Sequence, residues 1–271
     1  MFANFPLNGE RFTIADMHIL LTNDDGIYAV GLRALYAAFV GAGHEVAVVA
    51  PMAEQSAVGH SITVFTPLRV RKVREPEFEG LGVFGTPADC VKLALSTLLE
   101  RKPDCLVSGI NSGANVGVDI VYSGTVSAAT EGALNGIPAM AVSFDDFHPV
   151  DLSAQAKWVR DFLEQGLLSH FCAHTVCNVN FPRVSKGIGK GLRVCRQTSV
   201  AYQDGYEQCR DPRDQPYYWL TGEIPKEQVG ADADRALLSD GYITMTPLHF
   251  DFTHWKSLKS IEAQMELFQK D

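Results

Sequence analysis

The sequence predicts a doubly wound α/β fold, in which a mostly parallel sheet carries helices on both faces. Short apolar segments of strand length alternate along the chain with segments of helical period. This alternation is typical of parallel sheets, because each parallel crossover needs a connecting helix. With 271 residues, 46% of them hydrophobic, the chain is long enough to form one large core.

The first predicted βαβ unit lies near the N-terminus. An apolar strand at 18–21 is followed by a polar turn at 23–26, and a β-branched strand lies at 45–50. Between them, apolar residues recur at helical spacing, at Leu32, Leu35, Tyr36 and Phe39. The stretch 1–16 has no evident period, so we interpret it as an upstream extension or a cloning remnant. The folded domain then covers 17–271.

The next helix has the clearest start signal in the chain. Thr86 is a typical N-cap, Pro87 suits the first helical position, and Asp89 suits the third. Pro103 closes this helix. Further strands are predicted at 104–108, 138–143 and 174–180, with a helix-forming alanine-rich stretch after the first and a helix over 152–168 before the last.

The composition changes after residue 187. A polar stretch runs to Pro216, aromatic residues follow at 217–219, and a strand is predicted at 242–245. A terminal helix then shows apolar residues at helical spacing, at Leu258, Ile261, Met265 and Phe268. We predict a core over about 17–190 and an oligomerisation hairpin and C-terminal arm over about 191–271, because such apolar surfaces are typical of partner contacts.

Charge and composition restrict the classes of partner. The formal charge of −9 opposes binding to a nucleic acid polymer or an anionic membrane surface. No apolar run reaches the roughly 20 residues needed to span a bilayer, and the six cysteines are scattered without a CxxC pair. We therefore expect a cytoplasmic protein with reduced thiols, whose small anionic substrate needs a bound cation or a local positive field.

Two of the post-strand loops carry candidate metal ligands. Ligands of α/β sheets bind beyond the carboxyl ends of the strands, and Asp24 and Asp25 directly follow the first strand. Adjacent carboxylates suit a hard cation such as Mg²⁺ or Mn²⁺, although a helix-capping turn is an equally simple interpretation. After the second strand, Ser56 offers a hydroxyl and His60 a possible substrate contact, both of which are weak signals by themselves.

The third loop is the most informative. Glycine recurs at every fourth position from 109 to 117, with Asn111, Asn115 and Asp119 falling between and after these glycines. Asparagine amides supply neutral oxygen to a metal or N–H donors to a phosphate. Ser123-Gly124-Thr125 then opens a helix of small residues, whose free N–H groups form an anion site.

Common motifs of other enzyme classes are missing from the sequence. GxGxxG, GxxxxGK[ST], HExxH and GxSxG do not occur where they would indicate a dinucleotide fold, a P-loop, a zinc protease or a serine hydrolase. Phosphatases that form an aspartyl phosphate commonly carry two aspartates separated by one residue, whereas Asp24 and Asp25 are adjacent. We therefore expect water to be the nucleophile. A noncatalytic nucleotide or phosphate sensor and a metal-dependent glycosyl or phosphoryl transferase stay open as alternatives.

With these motifs in order, the chain resembles the SurE family, the survival-protein nucleotidases. The resemblance rests on ILLTNDDG at 19–26, AEQSAVGHSIT at 53–63, GTPADCVKLAL at 85–95, SGINSGANVGVDIVYSGTVSAATEG at 108–132 and NVNFP at 178–182. It implies a Rossmann-like three-layer core and a dimer or tetramer built by exchange of C-terminal segments. It also implies a phosphomonoesterase for nucleoside 5′- and 3′-monophosphates, and in some members short polyphosphate.

The resemblance also implies roles for individual residues. The ligands of one divalent ion per subunit, Mg²⁺ or Mn²⁺, would be Asp24, Asp25, Ser56 and Asn111. The phosphate would be held by Asn115, Ser123, Gly124 and Thr125. We expect catalysis by metal-activated water, with either Asp24 or Asp25 accepting the proton of that water.

Overall fold

The computed structural model describes residues 16–171 and 174–268. Its strands are β1 (His18–Thr22), β2 (Glu45–Pro51), β3 (Val70–Glu75), β4 (Phe78–Val83), β5 (Cys105–Ser112), β6 (Ala139–Phe144), β7 (Val176–Phe181), β8 (Leu192–Val194), β9 (Gln203–Arg210), β10 (Pro216–Glu223) and β11 (Ile243–Leu248). Its α-helices are α1 (Val30–Val40), α2 (Pro87–Leu93), α3 (Gly124–Leu134), α4 (Ser153–Glu164), α5 (Asp234–Ser239) and α6 (Trp255–Phe268). Nearly all of the predicted extension 1–16 lies outside the described residues.

Nine of these strands form one mostly parallel sheet. Its order is β3-β4-β2-β1-β5-β6-β7-β11-β8, and β1, β2, β4, β5, β6 and β7 pair in parallel with their neighbours of this group. β3 and β11 run antiparallel to β4 and β7. β9 and β10 form a separate antiparallel hairpin. The predicted parallel α/β sheet is therefore confirmed.

The sheet lies between two layers of helices, so the fold is the expected three-layer sandwich. One apolar cluster joins one face of the sheet to α1 and α4, and the other cluster joins the opposite face to α2 and α3. On α1 the predicted inward positions Leu32, Leu35 and Phe39 are buried. β1 is buried along its whole length, as expected for a central parallel strand.

Several boundaries differ from the sequence predictions. β5 continues through Ser112 instead of ending near Ser108, because pairing with β6 resumes at Asn111 after a shift in register. The helix predicted over 152–168 ends at Glu164, where Gly166 in the left-handed region introduces a 3₁₀ turn at Leu167–His170. β3 and β4 had no sequence prediction.

The region after residue 190 contributes to the main sheet as well as to exposed elements. β8 and β11 extend the sheet beyond β7. The β9-β10 hairpin and α6 are largely exposed, and the exchange of these segments between subunits stays a prediction. Among the described residues, no helix is both long enough and apolar enough to cross a bilayer.

The close approach of α1 to β5 positions the strand end that carries Asn111. Gly31 is buried in the first turn of α1, and a Cβ atom there would lie 1.9 Å from the Ile110 carbonyl oxygen. Glycine is therefore required by packing at this position, although alanine is the better helix former.

We expect Gly31→Ala to lower the free energy of unfolding by about 1 to 3 kcal/mol, the usual cost of overpacking. Helix propensity alone would give the opposite sign. Ala37→Gly, on the exposed side of α1, is the matched control and should cost about 1 kcal/mol through propensity. Urea unfolding measures both variants, and a stabilised Gly31→Ala protein would contradict the close packing.

Candidate active site

The candidate residues gather at the carboxyl edge of the parallel strands. Asp24 and Asp25 follow β1, Ser56 follows β2, and Asn111 is the second-last residue of β5. The backbone N–H of Gln55 donates to the Asp24 carbonyl oxygen at 2.8 Å. The backbone N–H of Ser112 donates to Asp25 Oδ2 at 2.9 Å. These two bonds bring the second and third loops to the aspartate pair.

Asp24 is buried against the first turn of α3. The Thr125 hydroxyl donates to Asp24 Oδ1, and Gly124 lets the helix approach so closely that a Cβ atom there would lie 2.9 Å from Asp24 Oδ2. Burial raises the pKa of the Asp24 carboxyl from 3.8 to about 6; hydrogen bonding from Thr125 opposes this shift, and the charge of Asp25 adds to it.

Asp25 is half-buried beside a second acid. Burial raises the pKa of its carboxyl, the bond from Ser112 opposes this shift, and the nearby Glu54 carboxylate adds to it. In the described ranges, no Lys, Arg or His side chain forms an ion pair with Asp24, Asp25 or Glu54. The site thus concentrates negative charge that the protein itself leaves uncompensated.

Ser56 and Asn111 add neutral oxygen atoms to this edge. The exposed Ser56 hydroxyl donates to Glu54 Oε1 at 2.6 Å, so its own lone pairs stay available. Asn111 Nδ2 donates to the Gly113 carbonyl at 2.8 Å. This bond orients the amide, whose oxygen accepts no hydrogen bond from the described residues.

The combined donor set suits a hard divalent cation. It contains two carboxylates, one hydroxyl and one amide oxygen, which are the ligand types that Mg²⁺ and Mn²⁺ prefer. Over the described residues, no group of three or more His, Cys, Asp or Glu side chains forms an alternative metal cluster. The aspartate pair has no cationic partner among the described residues, and a bound divalent ion would supply one.

Asn115 lies below the loop in a network of buried amides. Its backbone N–H donates to Asn180 Oδ1 at 2.7 Å, and its Nδ2 donates to Ser143 Oγ at 2.8 Å. Its carbonyl oxygen accepts from Asn178 Nδ2 and Asn180 Nδ2 at 2.9 and 3.1 Å. The three partners were missed as site residues; only the asparagine repeat in the NVNFP motif signalled two of them.

The first turn of α3 contains the other predicted phosphate residues. Ser123 Oγ caps the helix by accepting from the Val126 N–H at 3.1 Å. Thr125 is directed at Asp24 instead, through its hydroxyl and through its backbone N–H. The helix start therefore supports the aspartate as well as offering an N-terminal anion site.

A C-terminal acid supports the same loop from the far side. Asp234 is buried, and its carboxylate accepts from the backbone N–H groups of Gly117 and Thr198 at 2.7 and 2.9 Å. Arg235 donates to the Val116 carbonyl and to Asp119. Neither residue was predicted, since their partners Gly117, Val116 and Asp119 are more than 100 positions away along the chain.

Comparisons with known proteins identify the family that this chain resembles. The family model described as survival protein SurE matches residues 19–204. A protein named 5′-nucleotidase SurE from Maridesulfovibrio salexigens is 58% identical over 246 residues, covering 91% of this chain and 98% of the relative. Its namesake from Solidesulfovibrio magneticus is 56% identical, covering 93% and 98%. The crystal structure of the SurE protein from Aquifex aeolicus aligns with TM-score 0.78 and 39% identity, covering 92% and 99%.

Gly124→Ala tests the contact between α3 and Asp24. The added Cβ atom would lie 2.8 Å from Asp24 Cβ and 3.0 Å from Pro87 Cγ, so the carboxylate must move. We expect phosphate release from nucleoside monophosphates to fall ~10-fold or more, as small displacements at reacting groups do. Gly132→Ala is the control on the same helix, because its Cβ would meet only the Leu106 side chain, at 2.9 Å. Equal activity of the two variants would contradict this role.

Proposed function

The chain belongs to the SurE family, and we propose that it hydrolyses nucleoside 5′- and 3′-monophosphates to nucleoside and phosphate with the help of a divalent cation. It is a hydrolase of the 5′-nucleotidase class. The observation that carries the proposed metal dependence is the uncompensated Asp24-Asp25 pair beside the N-terminus of α3. Repulsion between the two carboxylates is relieved when a cation binds them.

Asp24, Asp25, Ser56 and Asn111 would hold this cation. When bound, the ion supplies Lewis-acid activation of the phosphoryl group and of the attacking water. Asp24 Oδ1 and Asp25 Oδ2 are already hydrogen-bonded to Thr125 and Ser112. The remaining lone pairs of each carboxylate would be available to the ion.

The protein residues have two further tasks in the proposed reaction. One of the two aspartates accepts the proton of the water as its oxygen attacks phosphorus. The ester P–O bond then breaks, and the nucleoside leaves as an alcohol when its oxygen takes the proton that the aspartate has accepted. Asn115 and the Ser123-Gly124-Thr125 turn would hold the phosphate, since amide and helix N–H groups stabilise negative charge on the phosphoryl oxygens.

We further propose that Mg²⁺ or Mn²⁺ is the working ion and that short polyphosphate is a second substrate. Oxygen ligands suit both ions, and availability decides between them. A cytoplasmic location is supported by the five described cysteines that are free thiols, Cys90, Cys105, Cys177, Cys195 and Cys209.

A noncatalytic nucleotide or phosphate sensor is the alternative function. It would use the same cation and anion loops without turnover. Two adjacent aspartates exceed what binding a phosphate requires, because each adds repulsion towards an anionic ligand. Catalysis gives the second carboxylate a use as proton acceptor.

Phosphate release tests the proposed function directly. The purified chain is chelated, and a panel of nucleoside 5′- and 3′-monophosphates and short polyphosphate is then assayed with Mg²⁺, Mn²⁺ or Zn²⁺ restored singly. We expect release only with a restored ion and without any acceptor alcohol. Ligand binding with no release under any ion would favour the sensor, and release that depends on an acceptor would favour a transferase.

Substitution of the proposed ligands gives a sharper prediction. We expect Asp25→Asn to lower turnover by about two orders of magnitude or more, and Asn111→Ala to weaken the ion ~10-fold. Asp145→Asn is the matched control, because it removes a carboxylate that follows β6 at the same edge of the sheet. The charged neighbours of the Asp145 carboxylate are Arg235, Asp146 and Arg183. A near-normal Asp25→Asn enzyme would remove Asp25 from the mechanism.

We propose that the chain self-associates as a dimer or tetramer through its C-terminal arm. α6 presents Leu258, Ile261, Met265 and Phe268 to solvent within one chain. Apolar residues at helical spacing are typical of a helix that packs against a partner.

Deleting residues 252–271 should shift the protein towards monomer, because it removes this apolar face. Light scattering after size-exclusion chromatography measures the mass. In the full-length chain, Ile261→Glu should reproduce the shift, whereas Lys259→Glu should leave the mass unchanged. A truncated chain with the full-length mass would show that the arm is not the interface.

A further inference from the structure

A buried acid on α3 lies outside the proposed metal ligands. The Glu131 side chain is only 6% exposed. It accepts hydrogen bonds from His60 Nε2 at 3.0 Å and from Lys92 Nζ at 2.9 Å. The bond from His60, followed by that from Lys92, holds the pKa of this carboxyl below its ordinary value although burial opposes them. Glu131 is therefore an ionised acceptor near neutral pH.

His60 belongs to the loop that carries Ser56. We call residues 54–62 the Ser56 loop; most of its residues are exposed or half-exposed, so apolar packing contributes little to its position. Its backbone is held by three hydrogen bonds. The Gln55 N–H donates to the Asp24 carbonyl at 2.8 Å, the Gly59 N–H to the Tyr122 carbonyl at 2.9 Å, and the Thr86 hydroxyl to the Ser61 carbonyl at 2.8 Å. Among the described residues, His60 is its one side chain hydrogen-bonded to a residue outside the loop.

The same helix also holds Asp24. Thr125 binds the Asp24 carboxylate, and Glu131 lies six residues further along α3. At about 1.5 Å per residue, the two contacts are separated by roughly 9 Å along the helix axis. α3 is thus a rigid spacer between the aspartate pair and the Ser56 loop.

We propose that His60 is a positioning residue, whose hydrogen bond to Glu131 fixes the Ser56 loop at the distance from Asp24 at which Ser56 completes the cation site. This inference rests on the proposed function, because it takes Ser56 as a ligand of the ion. His60 acts through the loop and needs no contact with the substrate. The hydrogen bonds of Asp24 and Asp25 come from Thr125 and Ser112 and do not involve His60.

Three variants separate positioning from helix packing. His60→Leu removes the donor, and His60→Gln keeps a side-chain N–H that can reach Glu131. Lys92→Met is the matched control, because Lys92 binds the same carboxylate from α2 without touching the loop. The His60 side chain is about one-third exposed, at 35%, so its replacement leaves the core intact. Urea unfolding verifies this for each variant.

Two measurements without substrate read the position of the loop. Free Mn²⁺, followed by electron paramagnetic resonance, gives the ion affinity, and amide hydrogen exchange reports on residues 54–60. For His60→Leu we expect ~10-fold weaker Mn²⁺ binding, as for other groups that orient ligands, and faster exchange in the loop. His60→Gln should recover most of the affinity, and Lys92→Met should match the wild type.

Activity assays add a third, independent measurement. With saturating Mn²⁺, His60→Leu should recover a kcat within ~2-fold of wild type, because a bound ion draws Ser56 back. The Mn²⁺ concentration for half-maximal activity should rise ~10-fold, in line with the weaker binding. A proportional loss of kcat at saturating ion would assign His60 to the chemistry instead and overturn the positioning role.

Other outcomes would also overturn the inference. They are wild-type Mn²⁺ affinity and loop exchange in His60→Leu, or an equal loss of affinity in Lys92→Met, which would assign Glu131 to helix packing alone. A wild-type chain that binds no divalent ion would overturn the proposed metal site, and this inference with it. The wild-type titration therefore distinguishes failure of the proposed function from failure of the positioning role.

Discussion

The repulsion between Asp24 and Asp25 is the constraint on which the site depends. Asp24 is only 6% exposed and Asp25 is half-buried, so water offsets only part of the charge of the pair. The fold supplies the Thr125 hydroxyl and the Ser112 N–H as donors, but these hydrogen bonds compensate only part of the charge of the pair. A bound cation would therefore balance the remaining negative charge, and the neighbouring loops would supply further oxygen ligands for it.

α3 connects this local electrostatic requirement to the rest of the fold. Small residues let its first turn contact Asp24 and its next turns lie against the sheet, where a Cβ atom on Gly132 would be 2.9 Å from Leu106. Because the helix is closely packed, it transmits a displacement at one end to its other contacts. The distance between its contact with Asp24 and its contact with the Ser56 loop therefore stays constant. A site that takes ligands for one ion from both loops requires this.

The sequence was sufficient to predict elements whose signals are local. The α2 start at Thr86 is a complete capping box, and α1 and β1 carry periodic or continuous apolar residues because they are buried. β3 was missed because only Val73 of its six residues is buried, which leaves little hydrophobic pattern. The end of β5 was missed because Gly109 resembles a turn. Asn180 and Asp234 were missed because chain-distant contacts decide their roles.

The C-terminal region has two parts with different roles, and the contacts of Asp234 show the role of the first part. Through Gly117 and Thr198, Asp234 fixes the loop that also contains Asn115, and β11 extends the sheet beside β7. These elements are part of the site within one chain. α6 begins only at Trp255, after β11 has ended at Leu248, and its apolar residues face solvent. Assembly of the site and association of subunits therefore depend on different segments, so the loss of one does not require the loss of the other.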